Sequence, residues 1–242
     1  MPDTPPALPD TLLLWDIDGT LIDSGHAGKR ALRAGLRAGL GLDDALDWLD
    51  FFGRTDFWVA RAILRRHGLA ETPAGIGRVL DAYLAQLGAA MASPPARVLP
   101  GVREIVETVA ARPGIAQGLL TGNLRRGAEA KLAPLGLRGF FPFGAFADDS
   151  ESRNDLGPHA VRRAAEHHGV PFAPERVFVI GDTPHDIECG KAIGARTIAV
   201  ATGRHSLEEL RRHRPAAAFA NLADAPAFFA ALGRPPGQGR AD

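Results

Sequence analysis

Three times in this chain a short apolar run stops at a polar turn, and a helical pattern follows. Residues 12–15 (Leu-Leu-Leu-Trp) end at Asp16, residues 115–120 end at Thr121-Gly122-Asn123, and residues 177–180 end at Gly181-Asp182. Short runs bounded by turn residues suit strands buried on both faces of a parallel sheet. Further strands are expected at 143–147, 197–201 and 217–219. Helices are expected at 101–111, 124–135, 156–168, 184–193, 206–213 and 222–232. Repeated β-α units predict an α/β fold with a doubly wound parallel sheet and right-handed crossovers. Ligands bind beyond the carboxyl ends of strands in such sheets, so the three polar turns are expected to share one crevice.

Residues 24–96 interrupt this pattern directly after the first strand. They show helical periodicity (Ala31, Leu32, Leu36 and Leu40, then Val59, Ile63 and Leu64) and no convincing strand. A helix is expected from near Ala45, capped by Asp43, and another over 79–91. Phe51-Phe52-Gly53-Arg54-Thr55-Asp56 breaks the pattern, and Ser93-Pro94-Pro95 reads as a hinge. The expected organisation is a catalytic core of residues 1–23 and 97–242 with an all-helical cap at 24–96. Residues 1–10 are expected to form a loose lead-in, and the Gly/Pro-rich 233–242 a disordered tail. A lobe whose linkers both start beside a crevice is well placed to act as a lid.

Bulk properties exclude several roles. Net charge is zero, and the basic residues pair only locally, as in Arg65-Arg66 and Arg211-Arg212, which argues against a nucleic-acid partner. No apolar stretch approaches a membrane span, and the acidic, proline-rich start lacks signal-peptide character. The one cysteine, Cys189, forbids an intrachain disulfide and is expected to pack as a small apolar side chain. A cytoplasmic location is the expectation.

The chemistry lies in the turns. Asp16 and Asp18 sit two apart on an extended segment and point the same way, and close carboxylates repel unless a cation intervenes. Mg2+, which seeks oxygen, is the natural one. Thr121 either caps the next helix or joins backbone N–H groups in an anion cradle. Asp182 ends another strand, and Asp186 lies four residues on, after Pro184 in a first helical turn. Asp148-Asp149 reads as a solvated turn and His185 as exposed. His159, His167 and His168 show no metal-ligand spacing.

Asp16-Ile17-Asp18-Gly19-Thr20-Leu21 resembles the first motif of the haloacid dehalogenase (HAD) superfamily. Thr121 matches the second, and Gly181-Asp182-x-x-x-Asp186 the fourth. The third motif usually supplies a lysine. Residues 148–156 contain none, and Arg153 stands in its place. The resemblance implies a Rossmann-like core and a Mg2+-dependent phosphatase acting on a small phosphorylated metabolite, phosphoglycolate being the nearest precedent. It implies Asp16 as nucleophile, Asp18 as general acid and base, and Mg2+ held by Asp16, the Asp18 carbonyl and Asp182. Thr121, Gly122, Asn123 and Arg153 would bind phosphoryl oxygens, and Asp186 would orient Arg153 or a water. Arg54 and Thr55, in the cap loop, would meet the leaving group. A monomer or homodimer is expected.

Competing readings are a metal-independent haloacid dehalogenase, a phospho-switch and a non-catalytic scaffold. Dehalogenases and phosphonoacetaldehyde hydrolases lack the second acid that Asp18 supplies here. β-Phosphoglucomutases carry a histidine where this chain has Gly28. Receiver-type switches lack both that acid and a helical cap. Only the missing lysine favours a scaffold.

Overall fold

The computed structural model describes residues 8–233, so the expectations for the first seven residues and for 234–242 lie outside it. Strand β1 (Thr11–Trp15), every residue buried, occupies the middle of a six-stranded parallel sheet. It lies between β4 (Ile115–Leu120) and β6 (Val177–Gly181). Outside them are β5 (Gly144–Ala145) on one side, and β7 (Arg196–Val200) and β8 (Ala217–Phe219) on the other. Leu14 pairs with Gly118 on one flank and Val179 on the other, so β4 and β6 each run one residue past the end of β1. Unbroken apolar runs are what a strand covered on both faces requires. Trp15 stacks on Phe228 at 5.7 Å on one face, while Leu12, Leu14, Phe143 and Cys189 pack on the other.

The crossover helices are α4 (Val102–Ala110), α5 (Arg125–Leu132), α6 (Leu156–His168) and α7 (Pro184–Ala192). The C-terminal pair are α8 (Leu207–Arg212) and α9 (Ala225–Ala231). A capping box fixes the start of α7: the Asp186 amide donates to the Thr183 hydroxyl, and the Thr183 amide donates back to the Asp186 carboxylate. That box also decides where the Asp186 carboxylate stands relative to β6.

Three helices intervene between the strand pair β2 (Ile22–Asp23) and β3 (Arg97–Val98): α1 (Ala27–Leu40), α2 (Asp56–Arg66) and α3 (Pro73–Ala92). β2 and β3 form a two-stranded antiparallel ribbon, so the helical insertion leaves and returns at one point. Within it α1 packs on α3 closely enough that a side chain at Gly35 would collide with the Ala82 carbonyl. The structure differs from expectation in two places. No helix forms near Ala45: the Asp44 carboxylate takes the Leu46 amide and the Trp48 indole N–H, holding a loop that competes with helix. The third helix starts at Pro73 rather than residue 79, because Thr72 caps it and proline suits its first turn.

Candidate active site

The site is assembled from three strand ends. Asp16 leaves β1 with its amide donating to the Ile180 carbonyl at 2.9 Å, which ties it to the end of β6. Gly19, at φ 81°, turns the chain back so that the Ile17 carbonyl accepts from Thr20, Leu21 and Ile22. Thr121, Gly122 and Asn123 follow β4, and Asp182 follows β6 by one residue. Asp16, Thr121, Asn123, Asp182 and Asp186 are all buried.

Arg153 enters from a short 3-10 turn (Arg153–Asp155) ahead of α6. Its Nη2 donates to Asp16 Oδ1 at 2.9 Å and to Asp186 Oδ1. The guanidinium is buried, and its Nε has no hydrogen-bond partner among the described residues. Such a cation between two acids is held firmly charged. Burial pushes the Asp16 carboxyl up to about 6, with Arg153 opposing and Asp186 adding to the rise. Burial and the nearby Asp186 and Asp16 charges also raise Asp182 well above the usual carboxylate range. Oxygens of Asp16, Asp182 and Asp186 all lie within 4.8 Å of one another, close enough to share a cation.

Asp18 has a different environment. Its Oδ2 accepts from Lys131 Nζ at 2.5 Å and Asn123 Nδ2 at 3.0 Å, and its Oδ1 from the Ser24 hydroxyl at 3.1 Å. Burial acts to raise its pKa, but Lys131 and the hydrogen bonds outweigh that and hold the carboxyl below its usual value. Its side chain keeps 36% of its surface open, and that surface faces a cavity rather than bulk solvent. The cavity, ≈ 910 Å³, lies between the strand ends and the helical insertion. Acidic Asp16, Asp18 and Asp182 line it on the core side, with Arg33, Arg54 and Arg204 among the cations.

The two Asp groups, Thr121, Gly122, Asn123, Arg153 and Asp182 thus meet at the cavity, and Asp186 backs Arg153 from beneath. Arg54 lines the cavity with its guanidinium 4.5 Å above the Trp58 ring. Thr55 does not line it: its hydroxyl caps α2 by accepting from Trp58 and donates to the Glu151 carbonyl at 2.6 Å. His185 is half-buried rather than exposed, packed where a side chain at Gly53 would meet it, and burial and Arg54 lower its pKa. Asp148 and Asp149 are tied to their own turn and its neighbours, receiving the Arg125 amide and the Arg163 guanidinium respectively.

Sequence reasoning missed Lys131 and Tyr83, and it read Asp56 only as part of the cap loop. Lys131 sits on the buried face of α5, eight residues past Asn123, whose Oδ1 it reaches at 2.6 Å. Asp56, on the insertion, accepts the Leu124 amide at 2.7 Å, and its own amide donates to the Gly122 carbonyl at 2.8 Å. The Asn123–Lys131 spacing of about two helical turns was the available signal.

A family model of haloacid dehalogenase-like hydrolases matches residues 13–191. No curated protein matches the chain. Among solved structures, the chain is similar to CbbY from Rhodobacter sphaeroides in complex with phosphate. That pair shares 24% identity at a TM-score of 0.69, over 88% of this chain and 95% of the other. A hydrolase from Pseudomonas syringae gives 21% identity and 0.69 over the same shares. A predicted phosphoglycolate phosphatase from Haemophilus somnus gives 15% and 0.66, over 90% and 97%. At these identities the likeness to solved structures is one of fold.

Proposed function

The chain belongs to the haloacid dehalogenase-like hydrolase family, and on that premise we propose that it is a Mg2+-dependent phosphatase cleaving a small phosphate monoester through an aspartyl-phosphate on Asp16. The observation that carries this reading is the pairing at one strand end of two carboxylates in opposite settings. Asp16 is buried and touched by the Arg153 guanidinium, while Asp18 opens to the cavity with donors on both its oxygens. A nucleophile held against a cation, and a carboxylate set as a proton acceptor where water can reach it, need such a division of environments.

On this reading an Asp16 oxygen attacks phosphorus and the alkoxide departs, to be protonated through Asp18. Water, giving its proton to Asp18, then releases phosphate and restores Asp16. The transferred oxygens develop charge that Arg153, the Thr121 hydroxyl and the backbone around Gly122 are placed to meet. The unpartnered, buried Arg153 Nε is a donor to spare for that purpose. The acidic trio fits a divalent ion, since burial and mutual repulsion raise Asp16 and Asp182, and a cation relieves both. Asp16, Asp182 and the Asp18 carbonyl would hold Mg2+, which when bound supplies charge neutralisation and alignment of the phosphoryl oxygens. The helical insertion serves as a cap. Arg54, which has no carboxylate partner among the described residues, suits a substrate with an anionic tail, as phosphoglycolate has. Asp18 and the acidic trio favour this reading over a metal-independent dehalogenase.

The test is hydrolysis of p-nitrophenyl phosphate by wild type and Asp16→Asn, each with Mg2+ and with EDTA. Turnover that needs the metal and falls by roughly 10³-fold or more in the variant is expected. Equal turnover by both proteins would remove Asp16 as nucleophile and the mechanism with it.

A further inference from the structure

Lys131 is a cation that the proposed mechanism leaves unused. It lies on the face of α5 that also buries Ala128 and Leu132, with 4% of its side chain exposed. A lysine is held in such a place only by good partners, because its charge loses water there. Its ammonium reaches Asp18 Oδ2 at 2.5 Å and Asn123 Oδ1 at 2.6 Å. The Tyr83 hydroxyl, from α3 of the insertion, faces the same ammonium, and both lie about 4 Å from where a Gly28 side chain would begin. Two accepted hydrogen bonds and the facing Tyr83 hydroxyl surround the ammonium. Both hydrogen bonds of Lys131 go to Asp18 and Asn123, so its contribution to the reaction passes through them.

Resting on the phosphatase reading above, we infer that Lys131 is a positioning residue that fixes the Asp18 carboxylate as the base for hydrolysis of the aspartyl-phosphate, and that it does so while Tyr83 is seated against it. Both Asp18 oxygens receive hydrogens, from Lys131, Asn123 and Ser24, so the group is oriented as an acceptor. In the step it serves, a water oxygen bonds to phosphorus and a water proton passes to Asp18. The phosphorus–oxygen bond to Asp16 breaks, its electron pair restores the Asp16 carboxylate, and inorganic phosphate leaves. An ammonium neighbour lowers the basicity of Asp18 but fixes its geometry, and geometry is the larger factor in such steps. Because Tyr83 belongs to the insertion, the base is set only when the insertion is docked on the core.

The test separates the two halves of the reaction. p-Nitrophenyl phosphate has a leaving group that departs without a proton, so kcat/KM reports attack by Asp16 and kcat includes the hydrolysis of the intermediate. With Mg2+, Lys131→Met is expected to lower kcat by about 100-fold and leave kcat/KM within about 3-fold, KM falling with kcat. Stopped flow should show a nitrophenolate burst near one per enzyme. Tyr83→Phe keeps the buried ring and removes one oxygen from the ammonium. It is expected to lower kcat alone by about 2- to 10-fold, and it reads the same contact if the Lys131 variant fails to fold. A loss of kcat/KM in proportion to kcat with no burst, or no change in either variant, overturns the assignment of Lys131. No turnover by wild type overturns the phosphatase reading, and this inference with it.

Discussion

Arg153 stands between two buried carboxylates that would otherwise repel, and the choice of arginine has consequences a lysine would not. One guanidinium nitrogen serves both Asp16 and Asp186, which leaves Nε for a further acceptor. A lysine keeps the charge but not the fork. Arg153→Lys is expected to lower kcat/KM by about 10- to 100-fold with the melting temperature nearly kept. Arg153→Met leaves two buried acids unpaired and should cost about 3 kcal/mol or more in urea unfolding. Asp56 supplies a pH test. Burial pushes its carboxyl up to about 6 from 3.8, with Lys131 opposing. A raised acid binds its proton more tightly when folded, so this group favours the folded state as pH falls from above 6 toward 4, and above 6 its ionised form is a cost. Allowing for cavity water, that cost is on the order of 1–2 kcal/mol. Asp56→Asn still offers an oxygen to Leu124 and should be more stable than wild type at pH 8, the difference shrinking below pH 6 and vanishing only below about pH 3.8. A less stable variant at pH 8 would contradict this. The paired acids were legible because they end an apolar run. Lys131 was not, since a lone lysine in a helical pattern normally marks a solvated face, and only the tertiary fold turns it inward.

At the level of elements, the sheet strands were readable because a parallel sheet covered on both faces writes itself as short apolar runs with turns at their ends. The ribbon of β2 and β3 was not, as two residues a side carry no periodicity. The loop over 43–50 misled for another reason: side-chain acceptors on Asp44 outcompete helix where the apolar spacing alone allows it. The contact between insertion and core is equally local. Gly122 accepts the Asp56 amide at 2.8 Å, and a side chain on Gly122 would strike the Arg54 carbonyl. Gly122→Ala must therefore lift the loop that carries Arg54, Thr55 and Asp56 away from the β4 end. The sheet is untouched by this, so the far-ultraviolet spectrum should be preserved while kcat/KM falls by about 100-fold, the order expected when positioning is lost by about an ångström. Wild-type activity in this variant would show that the loop has no part in the site.

Across the whole molecule the insertion is not a free lobe. Thr55 donates to the Glu151 carbonyl, Arg61 holds the Glu151 carboxylate with Nε at 2.8 Å and Nη2 at 2.9 Å, and Tyr83 meets Lys131. Each partner on the core side lies beside a group of the site: Glu151 two residues before Arg153, and Lys131 on Asp18. Apolar packing is continuous as well, one cluster running from Ile76, Leu80 and Leu87 of α3 through Leu124 and Ala128 of the core to Trp15 and Phe228. A core shared in this way predicts that insertion and sheet unfold together. The tryptophans permit a direct test, because Trp15 lies in the sheet while Trp48 and Trp58 lie in the insertion. Urea titrations of Trp15→Phe should report the insertion, and those of the Trp48→Phe, Trp58→Phe double variant the sheet. Measured against circular dichroism of the same sample, each fluorescence midpoint should coincide with the loss of helix. An insertion signal lost at lower urea than the ellipticity would instead mean that the polar contacts hold it only loosely. In that case, docking over Asp18 would be an equilibrium that substrate must shift rather than a property of the fold.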